Sequence, residues 1–159
     1  MTATAHAHST ADPAAEQSFD RIVVAVADPD DAAALADVAT SLAAAHGATV
    51  HALSVVDMEA GGGHWDIVVE RHEADATAAV DAVAERVAEA GLDAVRHVRY
   101  GSPDETIAAY AADHGADLIV MGAGARSGLR RFVSAGSTTP RVQRRSSVPV
   151  LAVPETSEE

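Results

Sequence analysis

Short apolar runs alternate along this 159-residue chain with stretches whose apolar residues recur at helical spacing. The runs at 21–27, 48–56, 117–121 and 148–153 are mostly apolar and of strand length, a pattern typical of parallel strands covered on both faces. A fifth run, 92–100, mixes apolar and charged side chains, which favours a strand at the edge of the sheet.

Helix signals fill the intervals between these strands. Gly47 and Gly91 each follow a helical stretch at the position where a left-handed residue ends a helix. The run Ser102-Pro103-Asp104-Glu105 has the spacing of a capping box with proline at the first helical position. The predicted helices span residues 28–46, 67–90, 103–114 and 139–145.

The alternation of five strands with four helices predicts an α/β fold, a doubly wound five-stranded parallel sheet with helices on both faces. In the Rossmann-like strand order 3-2-1-4-5 the direction of winding reverses between strands one and four, where such sheets bind ligands. The loops at 27–31 and 122–136 are therefore expected to form the ligand site. We expect residues 1–18 to be a disordered tail, 19–154 the domain and 155–159 an acidic tail.

The chain is strongly acidic, with a net charge of −13, and all 11 of its basic residues are arginine. This composition is typical of either a GC-rich genome or a halophile with a high-salt interior, and it disfavours nucleic-acid binding. No stretch approaches the ~18 apolar residues of a membrane span, and no signal peptide is evident. We expect a cytoplasmic protein. Cysteine is absent, which excludes disulfides and thiolate chemistry.

The most informative segment follows strand four and contains two glycine clusters, Gly122 to Arg126 and Gly136-Ser137-Thr138. A glycine-rich turn before a helix leaves backbone N–H groups free to bind an anion. Between residues 118 and 154 there are six arginines and no acidic residue. Arg126 is the candidate phosphate ligand, whereas we expect the arginines at 130, 131, 144 and 145 to be solvated or paired with acids.

Several other chemistries are excluded by the same residues. A dinucleotide fingerprint would need a third glycine where Ser127 stands, and a Walker A loop needs a lysine, which the chain lacks. His64, Asp66, His72 and Glu73 are of metal-binding type, but their spacing fits no metal motif, so no metal site is expected. We assign no catalytic residue, because no nucleophile–base arrangement is evident.

Four segments between about residues 19 and 154 carry a resemblance to the universal stress protein family, in the family's order and spacing. They are VVAVA (23–27) followed by an acidic helix start, HGATVHALSVVD (46–57), YGSPDETIAAYAADHGADLIVMGAGARSG (100–128) and GSTTPRVQRRSSVPVLAV (136–153). The resemblance implies a Rossmann-like fold and a homodimer formed through the last strand, here Val148–Val153. It also implies, for one branch of the family, ATP binding through Gly-x-x-Gly, nine residues, then Gly-Ser or Gly-Thr.

On this chain the first motif glycine is Gly122 and the last pair is Gly136-Ser137. The second glycine falls on Ala125, with Gly124 beside it, and the segment is one residue longer than the family pattern. The acid that closes strand one in the family falls on Ala27. Asp28 follows one place later, as a sugar ligand or as a helix cap.

Two hypotheses follow, both for a binding or regulatory module rather than an enzyme. In the first, the protein senses ATP, with Mg²⁺, or another adenine nucleotide. In the second, it is a nucleotide-free dimeric scaffold with a degenerate ATP motif. A weak ATPase is a third hypothesis, for which no general base is evident. The candidate nucleotide-binding residues are Val26, Asp28, Val55, Met121, Gly122, Gly124, Ala125, Arg126, Gly136, Ser137 and Thr138.

Overall fold

The computed structural model of the protein describes residues 18–58, 65–123 and 135–154. Strands and helices alternate along these residues, and a 3-10 turn at Pro29–Asp31 precedes the first α-helix. The elements are β1 (Arg21–Ala25), α1 (Ala32–His46), β2 (Thr49–Asp57), α2 (Trp65–Glu89), β3 (Ala94–Gly101), α3 (Pro103–Asp113), β4 (Leu118–Gly122), α4 (Ala135–Arg145) and β5 (Val150–Val153).

The five strands form one parallel sheet in the order β3-β2-β1-β4-β5. This confirms the predicted α/β fold and the predicted strand order. Parallel neighbours need helical crossovers, and each crossover here supplies one helix. The mixed strand 94–101 lies at one edge, as its pattern predicted, with most of its residues half-buried and Arg96 and Tyr100 exposed. In contrast, β1 at the centre is buried over four of its five residues.

Side chains of the central strands point alternately to two hydrophobic layers. Val24 and Val120 pack with α1 and α2, whose contributions include Leu35 and Val83. On the opposite face the layer contains Val23, Ile119 and Met121, with Ile107 and Tyr110 from α3 and Val142 from α4. The period of two along each strand therefore sets which helix each residue contacts. Of the helices in the described ranges, none combines the length and apolar character needed to cross a membrane.

Glycine ends two helices as the sequence predicted. Gly47 and Gly91 have φ of 69° and 81°, in the left-handed region that glycine enters without steric cost. The N–H of Gly47 donates to the carbonyl of Ala43 at 2.7 Å, which satisfies one of the last carbonyls of α1.

Two details of the helix starts differ from expectation. The capping-box prediction is wrong: Ser102 makes no side-chain hydrogen bond to the α3 backbone, and its hydroxyl donates instead to Oδ1 of Asp104 at 2.9 Å. The ionised carboxylate of Asp104 is a strong acceptor only two residues away, so the Ser102 hydroxyl donates to it. The last helix begins at Ala135, four residues before the predicted Thr139, and Pro140 lies inside it.

Candidate ligand-binding site

The candidate site lies where the winding of the sheet reverses beside β1. At the end of this strand Ala25 pairs with Leu53 of β2 on one side and with Met121 of β4 on the other. The chain passes from β1 to β2 on one side and from β4 to β5 on the other. In sheets of this kind, ligands bind in a crevice outside the carboxyl edge at such a reversal. Met121 itself is 5% exposed and forms part of the floor beneath this edge.

Hydrogen bonds hold the segment after β1 in place. The N–H of Val26 donates to the carbonyl of Leu53 at 2.9 Å, which continues the sheet contact one residue beyond the strand. Asp28 is extended, and its Oδ1 accepts a hydrogen bond from the N–H of Asp30 at 2.9 Å. Asp28 is therefore a helix-capping residue, with Pro29 at the first position of the turn.

Val55 completes the β2 side of the edge. It is half-buried, pairs with Arg99 of β3 and packs at the margin of the layer that contains Leu53 and Met121. Val55 thus adds an apolar side chain at this edge, and ligand pockets are lined mainly by apolar groups.

At the β4 side, Gly122 is tied to the last helix. The hydroxyl of Thr139, which is 4% exposed, donates to the Gly122 carbonyl at 2.6 Å. The next amide, that of Ala123, donates to the Val153 carbonyl at 2.8 Å. Since this amide already has a partner, backbone donors for an anion must come from the start of α4 or from the glycine segment beyond Ala123.

The first turn of α4 contains Gly136, Ser137 and Thr138. The first N–H groups of a helix have no partner within it, and the helix dipole places partial positive charge there. Thr138 is half-buried, and Thr139 holds this turn close to Gly122. The side chains of Gly136 and Ser137, and the whole of Gly124, Ala125 and Arg126, lie outside the described residues.

The far end of α4 is paired with acids rather than exposed to the crevice. Nε of Arg145 lies 2.7 Å from Oδ2 of Asp104, and its Nη2 lies 3.5 Å from Oε2 of Glu105. Burial by itself would raise the pKa of Asp104, but hydrogen bonds from Ser102 and Arg145 outweigh it and hold that pKa below its ordinary value. The expectation that Arg145 pairs with acids on another helix is confirmed.

The roles of two residues that organise this region were not predicted from the sequence. Thr139 had a signal, because it follows directly on the Gly-Ser-Thr cluster that was singled out. Asp104 was noted only as part of a helix start, and its pairing with a residue 41 positions away has no local signature. No group of three His, Asp or Glu side chains within the described ranges is arranged to hold a metal ion.

Comparison with known proteins gives concordant results. Residues 18–154 match the model of the universal stress protein family. The chain is 29% identical over 149 residues to universal stress protein MJ0531 of Methanocaldococcus jannaschii, an alignment that covers 91% of this chain and 87% of that protein.

Solved structures show the same similarity. The universal stress protein UspA from Lactobacillus plantarum is 32% identical, with a TM-score of 0.69 over 86% of this chain and 98% of that one. A universal stress protein crystallised in complex with cAMP is 24% identical, with a TM-score of 0.67 over 86% of this chain and 97% of that one. At that identity the second match supports the fold alone.

Proposed function

The chain belongs to the universal stress protein family, and from this premise we propose that it is a regulatory protein that binds an adenine nucleotide at the carboxyl edge between β1 and β4. The observation that carries the proposal is the bond between Thr139 and Gly122. It holds the first turn of α4, where the helix dipole places partial positive charge, at the reversal point of the sheet. Anions bind helix starts of this kind, and nucleotides bind at this point of the fold.

Related proteins support the choice of an adenine nucleotide. Solved universal stress proteins with the same fold are complexes with cAMP, dAMP and AMP. A base set against the Val55 side chain, near the backbone of Val26 at the neighbouring strand end, would leave its phosphates towards Gly122 and the first turn of α4. This assignment rests on geometry for the described residues and on the family motif for Gly124, Ala125 and Arg126.

We assign ATP with Mg²⁺ as the first ligand to test. Its longer phosphate chain would contact both glycine clusters, with Arg126 as a side-chain ligand. Asp28 caps the turn after β1 through Oδ1, so sugar binding through this residue would need its other oxygen. A bound nucleotide would act as a signal only if this protein has two conformations that differ both in the surface offered to a partner and in nucleotide affinity.

We also propose that the protein is a homodimer formed through β5. This strand pairs with β4 on one side and ends the sheet on the other, and Leu151 is 39% exposed on it. An open strand edge with an apolar side chain is a surface that proteins commonly cover by pairing. The second hypothesis, a dimeric scaffold without nucleotide, uses the same strand and differs only at the carboxyl edge. A cytoplasmic location stays a prediction.

Thermal denaturation with and without ligand separates the two hypotheses. The protein would be melted with ATP–Mg²⁺, AMP, cAMP or GTP, in a salt concentration at which the acidic chain is folded. A ligand at 100 times its Kd stabilises the folded state by about 2.7 kcal/mol. Stabilisation by the adenine nucleotides and not by GTP supports the sensor, whereas no shift at millimolar concentrations leaves the scaffold.

A substitution at Gly136 tests where the phosphates bind. Gly136→Val adds a branched side chain at the first turn of α4, where a bound phosphate must approach the backbone closely. We expect this variant to lose the ligand-induced shift while its own melting without ligand changes little. Gly136→Ala is the matched control, with a smaller loss. Full binding by the valine variant would contradict the assignment of the phosphates to this turn.

A further inference from the structure

Three histidines and a tyrosine form a cluster on the face of the sheet that α3 covers. His51 of β2, His97 of β3 and His114, which follows α3, have ring centroids 5.7 to 6.3 Å apart. Tyr110 of α3 lies among them and stacks on His114 with centroids 3.8 Å apart. Because α3 runs antiparallel to the strands, its end places the cluster towards the amino edge of the sheet, away from the candidate nucleotide site.

Hydrogen bonds with Tyr110 fix two of the three rings. Nδ1 of His51 lies 2.8 Å from the Tyr110 hydroxyl, and this contact is buried. Nδ1 of His114 lies 2.9 Å from the Tyr110 carbonyl, and only a protonated Nδ1 can make that bond. Tyr110 therefore contacts His51 of β2 through its hydroxyl and contacts His114 through its backbone carbonyl. In this way Tyr110 joins α3 to this part of β2.

The surroundings of the cluster are basic. Nη1 of Arg99 lies 3.4 Å from Nδ1 of His97, and its guanidinium carbon lies 5.4 Å from the centre of the Tyr110 ring. Arg21 of β1 adds a further positive charge near His51. Across residues 18–58, 65–123 and 135–154, no side-chain ion pair joins a carboxylate to these histidines and arginines. The carboxylate of Asp117 accepts a hydrogen bond from the backbone N–H of Arg21 at 3.1 Å.

This environment disfavours a proton on His51 and His97. Burial lowers the pKa of His51, and the nearby His114, His97 and Arg21 lower it further. Burial also lowers the pKa of His97, together with Arg99 and His114. Burial raises the pKa of Tyr110, with Arg99 acting in the opposite direction, so the tyrosine stays neutral across the physiological range.

We propose that the cluster of His51, His97, His114 and Tyr110 is a proton-binding switch that loosens α3 from β2 and β3 in mildly acidic conditions. A neutral His51 can accept the hydrogen of the Tyr110 hydroxyl, but a protonated imidazole has only donors. Protonation therefore forces the hydroxyl to turn and adds a cation to a group that already contains Arg21 and Arg99. Both effects act on the contact that anchors α3.

The direction of the pH response follows from linkage. A histidine whose pKa is lower in the folded state than the ordinary 6.5 binds a proton more readily in the unfolded chain. Its contribution to stability is complete above about pH 6.5 and is lost as the pH falls towards the folded-state pKa. For each such histidine the folding equilibrium constant falls by up to about tenfold per pH unit in that interval.

Histidine NMR titration of the full chain tests the switch directly. We expect the ring signals of His51 and His97 to titrate below the ordinary histidine pKa of about 6.5. Amide hydrogen exchange at pH 7.0 and 5.5, corrected for intrinsic rates, should show protection lost in α3 and kept in α1. Titration of both His51 and His97 at the ordinary histidine pKa would overturn the proposal.

Two variants test whether protonation of His51 and His97 causes α3 to loosen from the sheet. His51→Gln with His97→Gln removes both titrating rings and leaves an amide oxygen that can accept from Tyr110. In this double variant α3 should keep its protection at pH 5.5, whereas His72→Gln should behave as the unmodified protein. If the double variant does not fold, His97→Gln alone, at the half-exposed edge strand, should remove part of the response. A double variant that loses α3 protection as fully as the unmodified protein would contradict the switch.

Discussion

Nε of Arg145 lies 2.7 Å from Oδ2 of Asp104, so an exposed guanidinium at the end of α4 binds a carboxylate that is only 6% exposed at the start of α3. The two helices that cover one face of the sheet are thereby joined by a charge-assisted hydrogen bond. The other end of α4 is joined to β4 by Thr139 and Gly122. The helix that carries the candidate phosphate site is therefore fixed at both ends.

Arg145→Gln should reduce the free energy of unfolding, because it leaves the buried Asp104 with Ser102 as its remaining side-chain donor. A hydrogen bond to a charged group contributes about 1.5–3 kcal/mol when buried, and the half-exposed arginine reduces this to about 1–2 kcal/mol. Urea denaturation at pH 7 measures the loss. Arg144→Gln, at an exposed position of the same turn, should change stability by less than about 0.5 kcal/mol. Equal losses in the two variants would contradict the role of the pair.

The pKa of Asp104 provides a second test of the same contact. In the unmodified protein, NMR titration of the carboxyl carbon should give a pKa below 3.8, because Ser102 and Arg145 outweigh the effect of burial. In Arg145→Gln the pKa should rise, since burial then meets less opposition. Because the folded-state pKa is lowered, the stabilisation is present above the unfolded pKa of about 3.9 and is lost as the pH falls through the folded value. An unchanged pKa in the variant would show that Arg145 does not act on this carboxylate.

Thr139→Val should weaken both the fold and nucleotide binding. The substitution keeps the shape of a buried side chain but leaves the Gly122 carbonyl without its donor, at a cost of about 1–2 kcal/mol. The first turn of α4 is then no longer held to β4, so adenine nucleotide affinity should fall as well. Thr139→Ser retains the hydroxyl and is the control. Calorimetric titration and chemical denaturation of both variants separate the effects, and wild-type affinity in the valine variant would remove Thr139 from the site.

Leu151→Lys tests the proposed dimer. The side chain is partly exposed on the edge strand β5, where a charge would oppose pairing of two copies. Light scattering after size exclusion should give a dimer mass for the unmodified protein and a monomer mass for this variant. Ile67→Lys, at a 57% exposed position of α2, should leave the dimer intact. A monomeric unmodified protein, or a dimer that survives Leu151→Lys, would exclude β5 as the interface.

The sheet was readable from the sequence because its signals are local. The β-branched runs determine strands, and the glycines at 47 and 91 determine helix ends, through interactions with residues close to them in sequence. The right-handed crossover rule then leaves few possible strand orders. The start of α4 was misplaced because Pro140, a residue typical of first helical turns, here lies inside the helix. The capping box failed because Asp104 competed for the serine hydroxyl.

Contacts between distant residues could not be predicted in this way. His51 and His97 were recognised as strand residues, yet only the pairing of β2 with β3 and the path of α3 bring them to Tyr110. Likewise, the partner of Arg145 depends on how α3 and α4 pack. For the candidate site, the sequence located the edge of the sheet and the helix start, but not that the Ala123 amide is engaged by Val153.

Photolabelling with 8-azido-ATP tests most directly whether an adenine nucleotide binds at the carboxyl edge between β1 and β4. After irradiation and proteolysis, mass spectrometry identifies the labelled peptides, and excess ATP serves as competitor. We predict saturable, ATP-sensitive labelling confined to peptides from the segment after β1, the end of β2 or the β4–α4 segment. No saturable labelling, or labelling confined to the amino edge near His51 and His114, would contradict the proposal.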